Sequence, residues 1–246
     1  MRTLLFDGGN RAVRLFASLL LLAFLPGMSA DLFAAPPDAG EIVRRHLAAI
    51  GGARWEKVQS LLVKGSGPFG SFVWVWKRPD KFRSEELDDH YSGKTLVTAF
   101  DGTKGWTSDP FRGPAEPRRM GPGELQRWKT GFVVLSDLLE LPASGVDVKV
   151  VGQETVQQRS AWKLSVNRPG RDEVTLWIDT QTYLLLQRAR TLTAPWGETR
   201  TVVTPFTDYR TVDGVLVAHA VGDTRCVVAV NADVSDAMFQ PPQPLE

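Results

Sequence analysis

Apolar positions along the chain follow two periods. In "DAGEIVRRHLAAIGG", residues 38–52, Ile42, Val43, His46, Leu47 and Ile50 recur at helical spacing, which predicts an amphipathic helix with Asp38 as its N-cap and Gly51 and Gly52 as its stop. From Val58 onward the period drops to two. Strand-length segments follow at 60–67, 72–77, 81–87, 95–100, 146–152, 161–167, 173–179, 183–190, 199–210, 215–221 and 225–231. Most are separated by turn signals such as Asp101-Gly102, Arg168-Pro169-Gly170 and Asp213-Gly214. About ten strands with such short turns make an antiparallel meander, because parallel neighbours would need crossover helices that the pattern lacks.

One region interrupts the meander. Between Pro110 and Pro142 the chain is first rich in Pro, Gly and Arg, then reads "GPGELQRWKTGFVVLSDLLELP", with Pro122 suited to a first helical turn and an apolar group of Phe132, Val133, Leu135, Leu138 and Leu139. A helical insertion is expected at 110–142. A large curved antiparallel sheet covered by two helical segments is an α+β design with the helices packed on one face. Nothing marks a second core, so residues 36–246 are read as a single domain.

The stretch "FVWVWKRPDKFRSEE", residues 72–86, has unusual chemistry for a strand. Alternation puts Phe72, Trp74, Trp76 and then Arg78 on one face and Val73 and Val75 on the other. Aliphatic residues suffice to bury an ordinary strand, and wide rings suit a roomier surface. The three aromatics either plug a plain core or line a cavity between the sheet and the helices.

Charge and targeting narrow the function classes. Arg2, Arg11 and Arg14 precede the apolar run 15–25, and small residues follow it up to Ala35, the layout of a signal peptide over 1–30 with a cut as late as 35. The run is too short to span a bilayer. Without residues 1–30 the chain keeps 26 basic and 27 acidic side chains, a balance without the basic footprint that nucleic acid requires. Cys226 is the only cysteine, so no intrachain disulfide forms, and no cysteine after the apolar run offers a lipid attachment point.

Catalytic signatures are scarce. His46, His90 and His219 show no metal-ligand spacing, no phosphate-binding glycine loop is present, and Gly65-Ser66-Gly67 lacks the full nucleophile elbow. Glu85, Glu86, Asp88 and Asp89 could supply paired carboxylates for acid–base hydrolysis, but such a run also fits a solvated strand end. Cys226 in "RCVVAVN" reads as a small buried apolar side chain.

"VWKRPDKFRSEE" followed by "LVTAFDGTKGWTSDPF" resembles the paired signature of the LolA-like periplasmic lipoprotein and lipid carriers: a Lys-Arg-Pro strand end with a Phe four residues past the Arg, then Asp-Gly, Trp and Asp-Pro-Phe. "DAMFQPPQ", 236–243, is similar to the family's tail, and "HLAAIGG" to the opening of many relatives. Two departures stand out: Ser84 occupies a position that is aromatic in proteobacterial carriers, and the segment after Phe111 is rich in Pro and Arg.

The resemblance implies an unclosed β-barrel of about eleven antiparallel strands, with helices in its concave face as a lid over a hydrophobic cavity, and no catalysis. It implies acyl-chain contacts at Phe72, Trp74, Trp76, Phe82, Trp106, Phe132 and Leu135, with Arg78 as a latch to the lid. The implied cargo is the acyl chains of a lipoprotein or lipid, moved across the periplasm by a monomer that uses no cofactor and no metal. An inner-membrane donor complex and an outer-membrane acceptor would be its partners. Relatives of this fold also sense envelope stress, which is the alternative binding role; a hydrolase using the acidic group at 85–89 is the more distant one.

Overall fold

The computed structural model describes residues 37–68, 70–88, 92–111, 113, 115–131, 138, 146–168, 173–193 and 198–242; the signal-like segment lies outside them. The first helix, α1 (Ala39–Ala49), begins where the pattern predicts. The Asp38 carboxylate accepts the Glu41 N–H at 2.8 Å, and Glu41 in turn accepts from Arg44 and Arg45. Its buried side chains are Ile42 and His46. Gly51, at φ 130°, turns the chain into a 3-10 helix, Gly52–Lys57, a conformation that a side chain would strain.

The strands are β1 (Ser60–Gly67), β2 (Gly70–Lys77), β3 (Lys81–Asp88), β4 (Lys94–Phe100), β5 (Gly105–Ser108), β6 (Arg118–Arg119), β7 (Asp147–Val156), β8 (Arg159–Asn167), β9 (Val174–Asp179), β10 (Leu185–Thr193), β11 (Thr199–Val212), β12 (Val215–Val221) and β13 (Thr224–Val230). They form one curved antiparallel sheet in the order β6-β5-β4-β3-β2-β1-β13-β12-β11-β10-β9-β8-β7. The topology is two meanders: β1 to β6 runs outward, β7 to β13 runs back, and β13 closes against β1. β6 and β7 remain as edges, so the barrel is unclosed. Thirteen strands replace the expected eleven or so, because β5 and β6 are too short to show an alternation of their own.

Each face of the sheet has its own cover. On the inner face, Ile42 of α1 packs with Leu164, Leu176, Ile178, Leu185 and Phe206, and Leu138 is fully buried in the same cluster. Farther along, Val58 and Trp55 at the 3-10 helix pack on Leu61, Val63, Val217 and Val228. The outer face is covered near β2 by a C-terminal 3-10 turn, Asp236–Phe239, where Phe239 and Val234 pack on Val75.

Part of the insertion is helical. Helix α2 (Pro122–Gly131) lies on the inner face at the β4–β5 end: a Cβ on Gly105 would come within 2.8 Å of Leu125 Cδ1, and Lys129 Nζ stands 4.4 Å from the centre of the Phe100 ring. Glycine at 105 is what lets the helix sit this close. Phe132, Val133, Leu135 and Leu139 lie outside the described residues.

Candidate functional site

Antiparallel partners share a face, so the register reads the inner surface as rows across the sheet. One row is Leu61, Trp76, Phe82 and Phe100; the next is Val63, Trp74, Ser84 and Thr98; the third is Gly65, Phe72, Glu86 and Leu96. Across the β1–β13 seam, Val228 stands opposite Val63 and Cys226 opposite Gly65. The first row is flanked by the 3-10 helix, tied to the Trp76 end by Arg78, and by α2 beside Phe100. The third has no such flanking element among the described residues, and there the surface is hollow.

The hollow is a cavity of about 360 Å³, within the size range of small-molecule sites, with Val63, Phe72, Trp74, Leu96, Cys226 and Val228 in its wall. Phe72 and Trp74 are adjacent in it, with ring centroids 4.3 Å apart and planes tilted by 35°. Glycine at 65 shapes this wall: the Phe72 ring lies over it, where any Cβ would collide. Among the described residues, the charged side chains of the lining are Glu86 and Asp88.

Other sequence-predicted residues scatter around this hollow. Trp76 shares the inner face and, like Phe72 and Trp74, packs against the core cluster that includes Val58, but it does not line the cavity. Phe82 is 3% exposed and pairs with Phe100 at 5.8 Å between centroids. Trp106 is on the opposite face: it pairs with Ala99, in the row of Arg83 and Val75, and its indole N–H donates to the Phe239 carbonyl at 2.9 Å. It borders a separate, more open hollow of about 510 Å³ beside Arg83, Glu85 and the C-terminal Met238. Phe132 and Leu135 lie outside the described residues.

Arg78 ends the aromatic strand and reaches the 3-10 helix. Its Nε donates to the Val58 carbonyl at 2.6 Å and its Nη2 to the Trp55 carbonyl at 2.9 Å, with the guanidinium 5.5 Å from the Trp76 ring centre. These are carbonyls at the C-terminal end of a helical turn, where acceptors are left over. Of residues 132–141 in the expected lid insertion, all but Leu138 lie outside the described residues.

The acidic group does not form a catalytic pair. Strand alternation sends Glu85 to the outer face, where it binds Arg83 at 2.5 Å, and Glu86 to the inner face, where it accepts from the Ser84 hydroxyl at 3.1 Å. Asp88 accepts from Ser92 in the following turn, and Asp89 lies outside the described residues. Among the described residues no group of three His, Cys, Asp or Glu side chains is placed to hold a metal. His46 is 1% exposed, its Nδ1 is 2.7 Å from the Tyr183 carbonyl, and burial pushes its pKa down to about 4. Burial also raises the pKa of the Cys226 thiol, which slows its reaction with electrophiles relative to a free cysteine.

No protein-family model matches the sequence, and no curated protein matches it. Among solved structures, the chain is similar to a candidate outer membrane lipoprotein-sorting protein domain from Vibrio parahaemolyticus, at 12% identity and a TM-score of 0.47 over 81% of this chain and 94% of that one. It is also similar to a DUF1329 family protein from Desulfovibrio piger (13%, 0.46, covering 82% and 97%). A LolA superfamily protein from Nitrosomonas europaea is a third such structure (10%, 0.45, covering 83% and 98%).

Proposed function

We propose that this chain is an exported, non-enzymatic carrier that takes acyl chains of a lipid or lipoprotein into the inner-face cavity and moves them across the periplasm. In this reading residues 1–30 are removed on export, and the mature monomer collects cargo from an inner-membrane donor and yields it to an outer-membrane acceptor. The observation that carries the reading is the cavity itself: about 360 Å³ walled by Phe72, Trp74 and aliphatic side chains. Burying a methylene is worth about 0.8 kcal/mol, so roughly ten sheltered methylenes give about 8 kcal/mol before ordering costs.

A neutral fluorescent probe such as N-phenyl-1-naphthylamine tests it. Wild type should bind the probe and release it to a long-chain lipid. Trp74→Ala should weaken binding severalfold while lowering stability by less than the ~3–5 kcal/mol of a ring deleted from a packed core, because a cavity wall already lacks contacts on one side. A protein that binds no probe, and that unfolds when Trp74 is truncated, would have a plain core there.

A further inference from the structure

Among the described residues the cavity lining is largely apolar, yet its third row places a carboxylate between two apolar side chains. Glu86 stands opposite Phe72 on one neighbouring strand and opposite Leu96 on the other, on the inner face, and lines the cavity. Its hydrogen bond comes from the neutral Ser84 hydroxyl, and among the described residues no cation pairs with it. A leucine or threonine would fill this position at no electrostatic cost, and a carboxylate there repels the head of a fatty acid. Among the described residues, Lys94 is the basic residue near this rim on the same face, opposite Asp88, and its ammonium is drawn to the Pro110 carbonyl at 3.3 Å. Asp88 lines the cavity one residue pair farther out.

We infer that Glu86 selects cargo whose acyl chain carries a primary ammonium at its head, with the chain against Phe72 and Trp74 and the ammonium at the carboxylate. This rests on the carrier reading and adds the head-group class to it. The ammonium could belong to an amino lipid or to a basic side chain of an acylated peptide; both present the same charge to Glu86. Because Glu86 is exposed, the preference is modest, roughly two- to fivefold, and falls with salt.

The test measures displacement of the neutral probe by dodecylamine, dodecanol and dodecanoate at pH 7, in wild type and in Glu86→Gln, which keeps an acceptor for Ser84. Wild type should rank amine over alcohol over carboxylate, and Glu86→Gln should erase the ranking while leaving the alcohol's affinity unchanged. Equal affinity for the three ligands in wild type, or a ranking that survives Glu86→Gln, overturns the inference and leaves the carrier reading standing. Failure of all three to displace the probe overturns both. If dodecylamine ranks first, a lysine-containing acylated peptide and an amino lipid are compared next: tighter binding of one identifies the source, and loss of both in Glu86→Gln confirms the shared contact.

Discussion

Replacing Arg78 with leucine removes two charged hydrogen bonds, to the Val58 and Trp55 carbonyls, and the contact with the Trp76 ring. Hydrogen bonds to charged groups are worth about 1.5–3 kcal/mol each, and Arg78 is exposed enough for water to replace part of that, so about 2 kcal/mol in total is expected. The loss is local. The 3-10 helix keeps its own bonds, Arg54 N–H to Gly51 and Val58 N–H to Trp55, but loses its tie to the end of β2. Hydrogen exchange at Arg54 and Val58 should therefore accelerate about 30-fold, since each 1.4 kcal/mol is a factor of ten, while the central strands change only with global stability. Arg78→Lys should recover less than half, because an ammonium cannot hold two carbonyls in a planar fork. With Trp55 and Val58 loosened over the row next to the cavity, a long-chain probe should bind more tightly and leave more slowly. Exchange within twofold of wild type, or equal or faster probe release, would refute the latch.

Two further outcomes follow from buried groups. His46 is held neutral with a pKa of about 4 against an ordinary 6.5, so the unfolded chain takes up the proton first as pH falls; the stability is complete above about 6.5 and lost on the way down to 4. At 1.36 kcal/mol per pH unit, denaturant unfolding should show a loss of about 2 kcal/mol between pH 7.5 and 5, absent in His46→Leu, and a flat profile in wild type would contradict the burial argument. Gly65→Ala puts a methyl 2.8 Å from the Arg225 carbonyl oxygen and into the Phe72 ring, so it should cost about 1–3 kcal/mol and weaken probe binding, whereas Gly152→Ala, with nothing within 4 Å, should do neither.

What was legible in the sequence is what strand alternation carries. Phe72, Trp74 and Trp76 share a face because they lie on one strand, and Asp38 caps α1 because capping is local. Trp106 could not be placed that way, since its face depends on the register of β4 with β5, Ala99 opposite Trp106, across a turn that resets the alternation. Arg78's partners lie 20 and 23 residues upstream and follow from how the 3-10 helix folds back on β1. Val63, Leu96, Val228 and Cys226 look like ordinary strand residues. Val63, Val228 and Cys226 become cavity wall because β13 closes on β1, a pairing between segments more than 150 residues apart that no local pattern encodes. Cys226 illustrates this: read as a buried apolar filler, it is half-buried and faces the hollow.

That same thiol gives the most direct test of acyl binding in the cavity. Cys226 is the sole cysteine and lines the cavity, so its alkylation by iodoacetamide reports whether the space is filled. With a long-chain amphiphile at saturating concentration below its micelle threshold, the rate should fall at least about tenfold, by mass action on the occupied fraction. An alkylation rate unchanged while the amphiphile is bound would place the acyl chain elsewhere and contradict the account.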